Sequence, residues 1–383
     1  MKTLTIISEV FIKEDGKETV DRSFNIIIDE YSKHFDRINI IGPGSIDFDF
    51  IQGFNEKIFF SSTTLYDKPI KRRIKYYLNI FKVKKYFKNI ILKGNTDIVQ
   101  IRIPSLFSMA AFSVVQDLKI PLTTYIAGEW YSSFIANYQF FGNSIVAKIL
   151  DNKQKKIIKN SIPVSAGKEL TYLYKELNEI YPYFSTTHKK IIKVNKNNTT
   201  IQLLYVGRLE NLKRITDAIN AVSILKDENI NVRFNIVGEG VEKNNLLNLV
   251  KSLKLENSIV FHGHLSNTEE LDEQYKNADI FVFPSISEGT PKVLAEAMSY
   301  GVIPIAVGDT GSIRFILEDS KNGFLVDAYS PKQIALKIKK LQESKKLQEN
   351  MRHYCYKYAE QHTIIKEVQN MWKYVFNRLE NEK

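Results

Sequence analysis

The chain has 383 residues, 44% hydrophobic and 25% charged, which is long enough for two ordinary domains with full cores and excludes a disordered or fibrous protein. A single cysteine, Cys355, excludes an internal disulfide and any multi-thiolate metal centre, and the six histidines lack H-E-x-x-H spacing, so no metal site is expected. The formal net charge of +11 calls for an explanation, and no stretch reaches the roughly 18 apolar residues of a membrane span.

The start, KTLTII over residues 2–7, predicts a strand rather than a signal peptide, so a cytoplasmic protein is expected. A polar loop from Ser8 to Arg22 follows, with a turn at Asp15-Gly16. Asp21-Arg22-Ser23-Phe24 then opens a helix up to His34, which makes Arg22 a candidate for the rim of a cleft. Strands are predicted at Ile38–Ile41 and Lys57–Phe60. From Lys68 to Lys93 there are ten Lys or Arg and no Asp or Glu, interleaved with Tyr76, Tyr77, Phe81, Tyr86 and Phe87. That stretch holds nearly the whole charge excess. A lysine-bearing helix with aromatic residues reads as a face for an anionic membrane surface, and a peripheral association through 68–93 is expected. A solvated helix in a chain rich in Lys, Ile and Asn would carry the same residues. No helix-turn-helix, zinc or RNA-binding motif stands beside it, so nucleic acid is not an expected partner.

Next come a strand at Asp97–Ile101, a helix at Ser105–Leu118 and a strand at Leu122–Ile126. Arg102 follows the first of these strands. Gly128 and Glu129 follow the second, in the tract Ala127-Gly128-Glu129-Trp130. These residues are candidates for the edge of a cleft. A basic helix over 144–160, a strand at Ile162–Ser165 and a helix at Lys168–Asn178 complete the first half. Strands alternating with helices predict an α/β, doubly wound parallel sheet. The polar run from Tyr183 to Thr200 marks the boundary, giving domains over 1–190 and 198–362.

The second half opens with IQLLYVGRLENLKR: a strand, then Gly207, Arg208 and, five residues on, Lys213 near a helix start. Cations are disfavoured at a helix amino terminus, so an anion is expected to offset them. Strand Arg233–Val237 leads to Gly238-Glu239-Gly240, and strand Ser258–Phe261 leads to His262-Gly263, for which a backbone role is preferred to histidine catalysis. The stretch from Ile280 to Gly301 reads strand, loop, helix: IFVFP, then SISEGT, then a helix with Thr290 as cap, Pro291 first and Gly301 just past its end. Glu288 and Glu296 stand there with seven residues between them. An ionised carboxylate accepts two hydrogen bonds from a diol, and a helix amino terminus favours a diphosphate. A ligand with both features is a nucleotide sugar. The last segment, Thr363–Leu379, is an amphipathic helix.

Glu288, Gly289, Thr290, Pro291 and Glu296, with Gly207, Arg208 and Lys213 upstream, resemble the E-x7-E signature of the retaining glycosyltransferases of family four. The resemblance runs from about Ile201 to Gly323 and implies a GT-B fold, two Rossmann-like domains facing a cleft, with the helix over 363–383 packing back on the first. It also implies a UDP-sugar or similar donor and transfer with retention to a glycan or lipid-linked acceptor. In it Arg208 and Lys213 hold the leaving diphosphate without a metal or other cofactor. Glu288 contacts the donor sugar and Glu296 the ribose, while Gly238, Glu239, His262 and Gly263 lie near the donor. Ala127 departs from the family's usual histidine, which keeps a catalytically inert sugar-binding subunit open as an alternative. A nucleotide-sugar epimerase or hydrolase of GT-B type is another.

Overall fold

The computed structural model describes all residues except 1, 9–21, 44–50, 53–54, 64–79, 138–141, 197–199, 266–267 and 382–383. The expected Asp15-Gly16 turn and the basic stretch from 68 to 79 lie outside the described residues, as does the side chain of Arg22. The chain divides into two compact units, Met1–Phe184 with Glu367–Lys383, and Ser185–Lys366.

The first unit is built on strands β1 (Thr3–Ile7), β2 (Arg37–Pro43), β3 (Ile51–Gln52), β4 (Ile58–Thr63), β5 (Ile98–Ile103), β6 (Leu122–Ile126), β7 (Ile162–Ala166) and β8 (Tyr181–Tyr183). They are ordered β3-β4-β2-β1-β5-β6-β7-β8 and all neighbours are parallel, except that β3 runs antiparallel to β4. Runs of isoleucine and valine form these strands because β-branched side chains suit a pleated surface buried on both faces. Val99, Ile101 and Ile103 turn to a layer that includes helices Ile80–Lys93, Leu106–Leu118 and Asn143–Lys159. The middle helix is capped by Ser105 Oγ, which accepts from Ser108 N at 3.2 Å. Gln100 alternates to the opposite face, beside Tyr31. There Trp372, fully buried, meets Tyr31 and Phe35 edge-on at 5.2 and 4.7 Å. Trp372 belongs to the terminal helix Ile364–Asn381, which from Glu367 onward is part of this unit.

The second unit has strands β9 (Ile201–Val206), β10 (Val232–Val237), β11 (Ile259–Gly263), β12 (Ile280–Phe283), β13 (Ile303–Val307) and β14 (Phe324–Val326). All are parallel in the order β11-β10-β9-β12-β13-β14, the doubly wound order of nucleotide-binding sheets. Together the two Rossmann-like units make a GT-B fold.

Three local expectations are corrected. Tyr181–Tyr183 is an edge strand, where the polar composition around it masked a three-residue pairing with β7. Helix Lys168–Tyr174 stops well before Asn178, whose side chain instead donates to the carbonyls of Ile158 and Ser161. Arg102 lies within β5, paired with Tyr125, not beyond its end.

A buried charge cluster gives the second unit a pH response. Lys196 Nζ donates to the carbonyls of Tyr275, at 3.2 Å, and Ala278, beside the Arg352–Asp279 ion pair at 2.7 Å and the buried Cys355. Burial, reinforced by Arg352 and opposed by Asp279, lowers the Lys196 pKa to about 7. The unfolded chain then holds the extra proton between about 7 and the ordinary lysine value near 10.4, so stability rises with pH through that window. Cys355, raised by burial, opposes this once unfolded thiols ionise above about 8.5. Thermal melts from pH 6.5 to 8.5 are expected to show a rising transition temperature that Lys196→Met flattens. An equal slope in the variant would refute the assignment.

Candidate functional site

In the second sheet the strand order reverses between β9 and β12, and ligands bind outside the carboxyl ends of strands at such a reversal. β9 runs into Gly207-Arg208 and then a 3₁₀ turn, Asn211–Lys213. β12 runs into the loop that leads to helix Lys292–Ser299. The two loops are stitched together: Ile286 N donates to Leu212 O at 3.0 Å and Ser285 Oγ to the same carbonyl at 3.4 Å.

That stitching brings Lys213 Nζ to 2.6 Å from Glu288 Oε1, with each side chain 14% exposed. Lys213 Nζ also reaches Ser287 O at 3.3 Å. An ammonium has three donors and a carboxylate about four acceptor positions, so the pair keeps capacity for a ligand on its open side. Arg208 projects outward, 74% exposed, and pairs with Glu210 at 2.8 Å. Beneath them the Tyr205 hydroxyl donates to Arg208 O at 3.0 Å. Burial, with Glu288 nearby, holds that phenol well above its usual range, so it remains a donor.

The neighbouring strand ends are locked by backbone bonds. Gly207 N donates to Val237 O at 3.0 Å, Leu209 N to Glu239 O at 2.9 Å and Gly238 N to Gly263 O at 2.8 Å. Gly238 has φ +141°, and a Cβ there would lie 1.8 Å from Gly207 O. Glu239 pairs with Lys243 at 2.6 Å. His262 is the penultimate residue of β11, not a turn residue, and its Nε2 contacts Asn235 Oδ1 at 2.9 Å. Burial, with Arg233 nearby, lowers its pKa and favours the neutral ring.

The helix start also differs from expectation. Pro291, with ψ 104°, stands at the cap position rather than Thr290, and Lys292 is the first helical residue. Thr290 Oγ1 donates instead to Ser312 Oγ at 3.3 Å, while Ser312 N donates to Gly289 O at 2.9 Å. Gly311, at φ +50°, lies under this loop: a Cβ would fall 2.3 Å from Glu288 O and 2.4 Å from Gly289 O. The loop carrying Glu288 and Gly289 is thus held from β13's side. Glu296, in the second turn of the helix, accepts from Thr187 Oγ1 on one carboxylate oxygen and from Tyr275 OH on the other at 3.2 Å. Sequence reasoning missed Thr187 and Tyr275 in these supporting roles, because each acts across a long sequence separation with no motif of its own.

In the first unit Arg102 is exposed near the carboxyl end of β5, with its guanidinium 5.9 Å from the Tyr125 ring centroid. Gly128 and Glu129 follow the adjacent β6. Gly128 O accepts from Gln154 Nε2 at 3.0 Å, and Glu129 Oε2 accepts from Ser132 Oγ. The three candidates therefore share one sheet edge, while Arg22 stands at the first residue of helix Arg22–Tyr31. Among the described residues no three His, Cys, Asp or Glu side chains converge as a metal site would need, and no helix is long and apolar enough to cross a membrane.

The chain is 26% identical over 268 residues to Protein CapJ of Staphylococcus aureus, covering 67% of this chain and 65% of that one. It is 28% identical over 146 residues to a putative colanic acid biosynthesis glycosyltransferase, WcaL, of Escherichia coli K12, covering 37% and 36%. The chain thus spans less than two thirds of the length of these curated relatives. Among solved structures, the lipopolysaccharide outer core galactosyltransferase WaaB matches with a TM-score of 0.69 at 16% identity, covering 98% of this chain and 99% of that one. Anabaena Alr3699/HepE in complex with UDP matches with a TM-score of 0.71 at 15% identity, covering 98% and 100%. Residues 187–362, nearly the whole of the second unit, match the family model for glycosyl transferases group 1, on a chain whose fold is GT-B.

Proposed function

We propose that the chain is a retaining, metal-independent glycosyltransferase. It moves a sugar from a nucleotide-diphosphate sugar, with UDP-sugar favoured, to a hydroxyl of a glycan or lipid-linked acceptor in surface polysaccharide or glycolipid synthesis. The observation that carries this reading is the Lys213–Glu288 pair at the strand-order reversal of the second sheet. The relatives named for colanic acid and lipopolysaccharide synthesis support the pathway class, and the UDP complex of HepE supports the base.

Residues 198–362 bind the donor and residues 1–190 with 363–383 the acceptor, through the edge that carries Arg102, Gly128 and Glu129. The bond between the anomeric carbon and the diphosphate oxygen breaks, and the acceptor oxygen bonds to that carbon. The acceptor proton passes to the departing phosphate, so no side-chain base is required. Arg208 and Lys213 stabilise the charge that develops on the leaving diphosphate. Glu288 accepts from donor-sugar hydroxyls, and Glu296 from the ribose diol. Gly207, Gly238 and Gly263 leave room for the nucleotide's close approach, with Gly289, Thr290 and Pro291 shaping the loop, and Glu239 and His262 lie toward the base. The enzyme works at the inner face of the cell membrane, held to anionic lipid through 68–93.

A thermal-shift panel of UDP, GDP, ADP, CMP and their sugar conjugates tests the donor site. One nucleotide diphosphate at a hundredfold excess over its dissociation constant is expected to stabilise the chain by about 3 kcal/mol, an effect absent in the double variant Arg208→Ala, Lys213→Ala. No stabilisation by any of them would remove the donor assignment.

A further inference from the structure

Helices Ile80–Lys93, Leu106–Leu118 and Asn143–Lys159 contribute to one hydrophobic core on one face of the first sheet, with the middle helix packed against both others. Their outward surfaces therefore belong to one layer. The helix Asn143–Lys159 exposes apolar side chains: Ile145 is 64% exposed, Ile149 52% and Val146 36%. Ile145, Ile149, Asn152 and Lys156 recur at helical spacing on one stripe, so its first half presents isoleucine and its second half lysine. Lys148, Lys153, Lys156 and Lys159 are all exposed. On the other flank, Phe81 is 84% exposed and Leu92 53%, with exposed Lys82, Lys85, Lys88 and Lys93 around them. The two outer helices contain one carboxylate between them, Asp151, and it is buried and paired with Lys155 at 2.7 Å. The middle helix adds half-buried Met109 and Phe112, and an exposed Asp117.

Isolated apolar side chains at a protein surface need no explanation, but apolar side chains set among lysines, with no exposed acid on either outer helix and Asp117 alone on the middle one, have the composition of an interfacial face. A protein partner with an acidic groove would match the charge but leave the isoleucines and Phe81 to be covered piecemeal. A bilayer boundary takes both at once, accepting apolar side chains below the plane where headgroups meet ammonium groups.

We infer that this helical layer is a single membrane-docking face in which Ile145, Val146 and Ile149 enter the lipid boundary of an anionic bilayer. The lysines of both outer helices lie on its headgroups. The inference rests on the reading that 68–93 meets a membrane and extends it to a second helix, Asn143–Lys159, as the inserting element.

Co-sedimentation of the full chain with vesicles of phosphatidylglycerol and phosphatidylcholine, against phosphatidylcholine alone, tests it. Binding is expected only to the anionic vesicles and to weaken with salt. The double variant Ile145→Asp, Ile149→Asp is expected to reduce binding by about tenfold or more, with an unchanged thermal melt because both positions are exposed. Lys85→Glu with Lys88→Glu probes the first helix separately. If that pair abolishes binding while the isoleucine variant binds as the parent does, the inference about Asn143–Lys159 fails and the 68–93 reading stands. If the parent chain binds no vesicle, both fail. A dimer in sedimentation velocity that the isoleucine variant dissolves would give the face to a second copy and overturn the proposal.

Discussion

Lys213→Ala is expected to lower kcat by roughly 10²–10³-fold at saturating donor, the loss seen when one preorganised donor to a developing negative charge is removed. Lys213 meets Glu288 at 2.6 Å within a half-sheltered loop, so its charge is neither free in solvent nor locked in a core. In the proposed reaction negative charge grows on the diphosphate as the anomeric bond breaks, and an ammonium fixed beside it would stabilise that change without reorganising. The effect should therefore appear mainly in kcat, with a smaller change in donor KM. Lys213→Arg keeps the charge but not the compact geometry, and intermediate activity is expected. A change confined to KM would make Lys213 a ground-state phosphate contact only. Unchanged kinetics with a lowered melting temperature would make the ion pair a structural clasp.

Gly238→Ala is expected to be the most damaging substitution of a single methyl group. Its φ of +141° lies where residues with a side chain are rarely found, and the added carbon would stand 1.8 Å from the carbonyl oxygen of Gly207. That obstacle is backbone, so relief requires moving β9's exit loop, which is itself held by Gly207 N to Val237 O at 3.0 Å. A loss of about 2–4 kcal/mol follows from backbone strain and overpacking together, and the transition should fall by about 5–15 °C in a domain of this size. Nucleotide binding should weaken as well, since the displaced loop carries Arg208. A melt within a degree of the parent would mean that the loops tolerate the shift.

Much of this architecture was legible because the relevant signals are local. The isoleucine runs of β1, β5 and β13 and the apolar spacing of helix Lys292–Ser299 declare themselves within a few residues. So does Gly301, whose φ of +67° closes that helix's carboxyl end. Glu288 and Glu296 were visible as a pair because their spacing is a property of one loop and one helix. The illegible parts depend on partners brought together by folding. Thr290 has the composition of a cap, but Pro291 takes the cap position and the threonine turns to Ser312. Tyr275 stands 21 residues before Glu296, and only the packing of two helices brings its hydroxyl to that carboxylate. Ile145 and Ile149 read as ordinary members of a basic helix until the sheet shows which side is already covered by its neighbours.

Trp372 also bears on how the protein is made. The first unit is not continuous in the chain: its core waits for residues that follow the whole of the second unit. During synthesis Met1–Phe184 emerges with Tyr31 and Phe35 facing an empty seat, and must remain partly open while some 180 further residues are translated. The second unit, continuous from Ser185 to Lys366, can close as soon as it clears the ribosome. The unit that begins the chain is thus the last to finish, and the arrival of the terminal helix marks completion of both.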